Sequence, residues 1–83
     1  MDRDELVMLV ASNIQSAMQR RGTNPAELAR AAGLNATGIY DILSGNSRSP
    51  RLDTIGKIAT ALHVPVATLF EEKLETDLRN DIY

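Results

Sequence analysis

The chain has no cysteine and no tryptophan, and its 83 residues include only two tyrosines, one phenylalanine and one histidine. Without cysteine there can be no disulfide and no thiolate metal site, which suits a reducing, cytoplasmic setting. No run of about 18 apolar residues occurs, so nothing is expected to span a membrane. The first residues, MDRDELVML, carry acids where a signal peptide needs bases. His63 has no second ligand at metal spacing and reads as the C-cap of a helix. There is no glycine-rich nucleotide loop, no Walker pattern and no pair of carboxylates around a nucleophile. No enzyme, cofactor or small-molecule substrate is expected.

What remains is 43% apolar, enough for one small core if the apolar residues fall on the right faces. They recur at helical spacing. Over residues 6–18 they are Leu6, Val7, Val10, Ile14, Ala17 and Met18, preceded by Asp2, Asp4 and Glu5 and closed by Arg20, Arg21 and Gly22. Asn24 or Thr23 can cap a second helix, Pro25–Ala32; with Asn24 as the cap, Glu27 reaches the capping-box position, and Leu28, Ala29 and Ala32 are buried. Gly33 stops it. Asn35 caps a third helix over 36–43, with Ile39, Ile42 and Leu43 apolar, stopped by Gly45. GNSRSP reads as a loop. A fourth helix over 51–62 should bury Leu52, Ile55, Ile58, Ala59 and Leu62, and a short fifth over 66–71 should bury Val66, Leu69 and Phe70. No alternating strand pattern appears. The expected fold is all-α with five helices over 1–70 and an acidic tail over 71–83, where Leu74, Leu78 and Ile82 could stripe a sixth helix.

Charge is unevenly spread. The net charge of −2 hides six bases against three acids between Arg20 and Lys57, and two bases against five acids from Phe70 onward. A basic middle beside an acidic tail suits a polyanionic partner better than the whole-chain balance suggests.

The stretch ELARAAGLNATGIYDILSG, residues 27–45, explains where that partner would bind. Two helices of about eight residues joined by Gly33-Leu34-Asn35 must cross steeply. Ala29 is small enough to let the second helix approach the first, Gly33 supplies a positive φ, and Ile39 plugs the second helix onto the first. Ala29, Gly33 and Ile39 form a helix-turn-helix pattern. With this pair, the GNSRSP loop and the ending TIGKIATALHVPVATLF, the chain resembles the phage-repressor and Cro-like (XRE-type) helix-turn-helix domains over about residues 6–70. It is most similar in character to the N-terminal domains of repressors that also carry a self-cleaving peptidase-like domain. No such second domain lies within these 83 residues.

The resemblance implies a sequence-specific transcriptional regulator, a repressor in such relatives, whose third helix enters the DNA major groove. Base edges would be met by Asn35, Ala36, Thr37, Tyr40 and Asp41. The phosphate backbone would be met by Arg20, Arg21, Asn24, Ser44, Asn46, Ser47, Arg48 and Arg51. The sequence departs from the family pattern in two places: Pro25 stands where a phosphate-binding glutamine is common, and Ala36 where Gln or Arg is common. Gly38 within the third helix has two explanations, a close approach to DNA or a tight helix–helix contact. The expected partners are double-stranded DNA and a second copy of the chain, joined through the fifth helix and the tail. The alternative is a protein–protein module on the same scaffold, as in antitoxin-like partners.

Overall fold

The computed structural model describes residues 1–46 and 49–72 and contains five α-helices: α1 (Arg3–Arg21), α2 (Pro25–Ala32), α3 (Ala36–Ser44), α4 (Leu52–Leu62) and α5 (Val66–Leu69). The expected sixth helix lies outside the described residues, as do Ser47 and Arg48.

Helix α1 starts where two acids cap each other's backbone. The Glu5 amide donates to the Asp2 carboxylate at 2.8 Å, and the Asp2 amide to Glu5 Oε1 at 3.4 Å. Asp4 and Glu5 in the first turn and Arg20 and Arg21 in the last complement the helix dipole at both ends. Its nineteen residues run across the molecule and pack against α3, α4 and α5, while α2 packs against α3 and α4.

Each helix sends at least one aliphatic side chain to the common core. Ile14 from α1, Leu28 from α2, Ile39 from α3, Ile58 and Leu62 from α4 and Leu69 from α5 are all fully enclosed. Side chains of this size contribute about 1.5–3 kcal/mol each when buried, so the core rests on aliphatic packing.

One polar residue joins that core. Asn13 is buried, and its amide donates to the carbonyls of Leu69 at 2.9 Å and Glu71 at 2.8 Å. The last carbonyls of a helix lack intrahelical donors, and a buried one left unpaired costs about 1–3 kcal/mol. Asn13 meets that need for α5, a helix of only four residues. In the sequence Asn13 stands between Val10 and Ala17 on the apolar stripe, which marks it as a buried polar group but not what its amide reaches; its side-chain oxygen has no partner among the described residues.

Several expectations need correction. Leu52 is 78% exposed. It is the first residue of α4 and sits roughly 70° off the centre of the stripe formed by Ile55, Ile58, Ala59 and Leu62, at about 100° per residue. Val66 is 45% exposed, because a one-turn helix turns a single side chain, Leu69, fully into the core. That helix also ends at Leu69 rather than Glu71, with Phe70 and Glu71 closing it through amides to Ala67 and Thr68. Phe70 and Ala32 are half-buried, and Leu6 at the start of α1 is 39% exposed. The capping box at α2 is half made: Asn24 accepts from the Glu27 amide at 2.9 Å, but the Glu27 carboxylate accepts from the Thr23 hydroxyl instead. His63 caps α4 in the left-handed region, as its position suggested.

Candidate nucleic-acid interface

The α2–α3 corner rests on three residues. Gly33 takes φ 70°, and the next amide, of Leu34, reaches back to the Ala29 carbonyl at 2.8 Å. Ala29 and Ile39 are both buried, one on each helix, so the two axes come together over small and branched side chains. Asn35 then opens α3, accepting from the Thr37 amide at 3.1 Å. The corner is fixed on its inner side by apolar packing and on its outer side by a cap.

Helix α3 buries Ile39 and Ile42, with Ala36 and Leu43 half-buried against the core. Thr37, Gly38, Tyr40, Asp41 and Ser44 are exposed, Tyr40 by 55%. Asp41 is the only charged residue on the helix. The outer face is therefore short, narrow and nearly neutral. Apart from Tyr40 its exposed side chains are short, and covering it would strip water from only one charge.

The five residues expected at base edges fall into two groups. Thr37, Tyr40 and Asp41 share the outer face. Asn35 lies at its leading end, with its side-chain oxygen occupied by the cap and its amide group left to donate. Ala36 turns partly inward, toward the core.

The described residues expected at phosphates lie at the end of α1, just before α2, at the end of α3 and just before α4. Arg20 and Arg21 are exposed at the C-terminal end of α1, and neither forms an ion pair among the described residues. Asn24 is exposed and caps α2 through its side-chain oxygen. Beyond α3, the Ser44 hydroxyl donates to the Asp41 carbonyl at 3.2 Å, and the Asn46 amide donates to the same carbonyl at 3.0 Å. Arg51 is the N-cap residue of α4, with its guanidinium on the Asp53 carboxylate at 3.1 and 3.4 Å. That hydrogen bond is the largest cause holding the Asp53 carboxyl below its ordinary value. A phosphate at Arg51 would compete with Asp53 for the same donors.

One surface was not anticipated from charge counting. An open groove runs between α1 and the end of α3, where Ser12, Gln15, Ser16 and Gln19 face Ser44 and Asn46. These neutral donors and acceptors extend the polar border of α3 along α1. They were legible only as the polar side of an amphipathic helix, and the fold decides what lies beside them.

Among the described residues no helix is long and apolar enough to cross a membrane, and no group of three or more His, Asp or Glu could hold a metal ion. The described architecture is a helix-turn-helix held in a five-helix frame, with the second helix of the pair presenting an uncluttered face.

Residues 13–73 match the Cro/C1-type HTH DNA-binding domain, and the chain belongs to that family. Among solved structures it is similar to a hypothetical transcription factor, NHTF, from Neisseria, with 25% identity, a TM-score of 0.80, and coverage of 100% of this chain and 91% of that one. It is also similar to the N-terminal DNA-binding domain of SinR from Bacillus subtilis, with 26% identity, a TM-score of 0.74, and coverage of 80% and 96%. No curated protein matches the chain. Family and fold are those of DNA-binding regulators, not of enzymes.

Proposed function

We infer that the protein is a sequence-specific transcriptional regulator acting as a repressor, which inserts α3 into the major groove of double-stranded DNA. The observation that carries this reading is the outer face of α3, exposed and nearly uncharged, together with exposed arginines at the end of α1 and at the start of α4. Thr37, Tyr40 and Asp41 meet base edges, with Asn35 at the leading end and Ala36 at the margin. Arg20, Arg21, Asn24, Ser44, Asn46 and Arg51, with Ser47 and Arg48 of the loop, hold the phosphates. Repression results from occupying a site that the transcription machinery needs.

One such domain reads only a few base pairs, so useful affinity needs a second copy on a half-site about 34 Å away. An exposed apolar patch supports a homodimer. Leu6, Pro50, Leu52 and Phe70 line a small cleft, and Leu52 is the most exposed of them. The same cleft is what favours the second reading, a module that binds another protein, because a monomer gains nothing by exposing these side chains.

Binding to random-sequence duplex DNA across a salt titration separates the two. Loss of affinity with salt, at a slope implying several phosphate contacts, supports the DNA reading. Folded protein that fails to bind at low salt overturns it. The division of labour is then testable. Arg20→Gln with Arg21→Gln should weaken every sequence alike and reduce the salt slope by about 2, whereas Thr37→Ala should change which sequences are preferred. Equal behaviour of the two variants across many sites would refute the assignment.

A further inference from the structure

Gly38 has no reason within the described structure to be glycine. It lies inside α3, outside the positive-φ residues of the chain, so its backbone suits any side chain. Among the described residues, a methyl group built on it would meet nothing within 4 Å. That open space removes one of the two explanations available from the sequence, a tight helix–helix contact. Alanine would favour the helix more than glycine does, because it restricts the unfolded chain and shields the backbone.

The position of Gly38 on the helix suggests what takes advantage of the gap. At about 100° per residue, the face opposite the buried and half-buried Ala36, Ile39, Ile42 and Leu43 is centred between Thr37 and Asp41, and Gly38 falls roughly 70° to one side. Tyr40 falls on the other side, 55% exposed. In a helix lying in a groove, the centre of the face meets the floor and the borders meet the walls. One wall would meet a tyrosine ring and the other bare backbone. In DNA those walls are sugar and phosphate.

We propose that Gly38 is where the α3 backbone touches the sugar–phosphate wall, so that its missing side chain sets how deeply the helix seats and which base edges Thr37 and Asp41 reach. Gly38 is thus a specificity-determining position that acts through what it lacks. The assignment rests on the DNA reading and goes beyond it, since it concerns depth of insertion rather than the identity of a reader.

The fold supplies its own control. Gly56 is also helical, also has nothing within 4 Å of an added methyl, and lies on α4, which packs against α1, α2 and α5. Both glycines carry the same helix penalty, and only Gly38 lies on the proposed interface.

The experiment uses the full chain, a random-sequence duplex pool, and the duplex that the wild-type chain enriches from it. Gly38→Ala and Gly56→Ala should each raise the melting temperature by a few degrees. Gly56→Ala should bind both DNAs as wild type does. Gly38→Ala should lose more than about fivefold on the enriched duplex beyond whatever it loses on the pool, a loss on the scale of one base contact, while its salt slope stays unchanged because no charge is removed. A smaller loss on the enriched duplex overturns the proposal while leaving the DNA reading intact. So does a lowered melting temperature for Gly38→Ala, since the fold would then need the glycine. Failure of the wild-type chain to enrich any duplex removes both together.

Discussion

After α2 the chain turns at Gly33, and after α4 it turns at His63, with nearly the same backbone: φ 70° and ψ 33° in the first, φ 59° and ψ 40° in the second. In both, the following amide reaches back into the helix, Leu34 to Ala29 at 2.8 Å and Val64 to Ala59 at 3.0 Å. Glycine takes this conformation freely, whereas a residue with a Cβ is strained there by about 1–2 kcal/mol. The outcomes differ because the two corners lead into different helices. After Gly33 comes a nine-residue helix with a side-chain cap, enough length to bury Ile39 and Ile42 and still present an outer face. After His63 comes a four-residue helix with no side-chain cap, which turns Leu69 inward and relies on Asn13 to hold its end. Near-identical corners lead to an exposed helix face in one place and a tucked-in closure in the other. Function lies in the length and composition of the helix after the turn.

Four experiments test that comparison. The largest effect is expected from Ile39→Ala, which should cost about 2–5 kcal/mol by emptying the core where α3 is seated. Denaturant midpoints would show it, and a loss below about 1 kcal/mol would mean that α3 is held by something else. Asn13→Ala should cost about 1–3 kcal/mol by stranding the carbonyls of Leu69 and Glu71. Hydrogen exchange should quicken around α5 before it does around α3; uniform quickening would show the two corners to be one cooperative unit.

The corners themselves should respond in opposite directions. Gly33→Ala should destabilise by about 1–2 kcal/mol, whereas His63→Gly should stabilise by less than about 1 kcal/mol, strain relief being partly offset by glycine's freedom in the unfolded chain. If both substitutions destabilised, the His63 ring would be making a contact that offsets its backbone strain. The smallest effect concerns Arg51 and Asp53. The Asp53 carboxyl is held low in the folded protein, so its contribution is present above its unfolded pKa and is lost as pH falls through the lowered folded value. Arg51→Gln should move Asp53 back toward its ordinary value in an NMR titration. No movement would mean that the backbone amide of Thr54, which donates to it at 2.9 Å, and the charge of Lys57 hold the carboxyl without Arg51.

Much of this was legible in the residues. The glycine stops, the caps at Asn24 and Asn35, and the spacing of Ala29, Gly33 and Ile39 obey local rules that need only a few neighbours. Leu52 and Val66 were misjudged because periodicity says which residues share a stripe, not whether another element arrives to cover its end. Asn13 was missed because its partners lie 56 and 58 residues away. The polar groove between α1 and α3 was illegible for the same reason.

By itself the sequence determined the helices, the caps and glycine stops that bound α2 and α3, and the helix-turn-helix, since each depends on propensity, capping and periodicity within a turn or two. Only the tertiary structure decided which faces stay open. Exposure is set by what distant helices leave uncovered, so the empty space around Gly38, the projection of Leu52 and the clamp at Asn13 exist only once the five helices have packed.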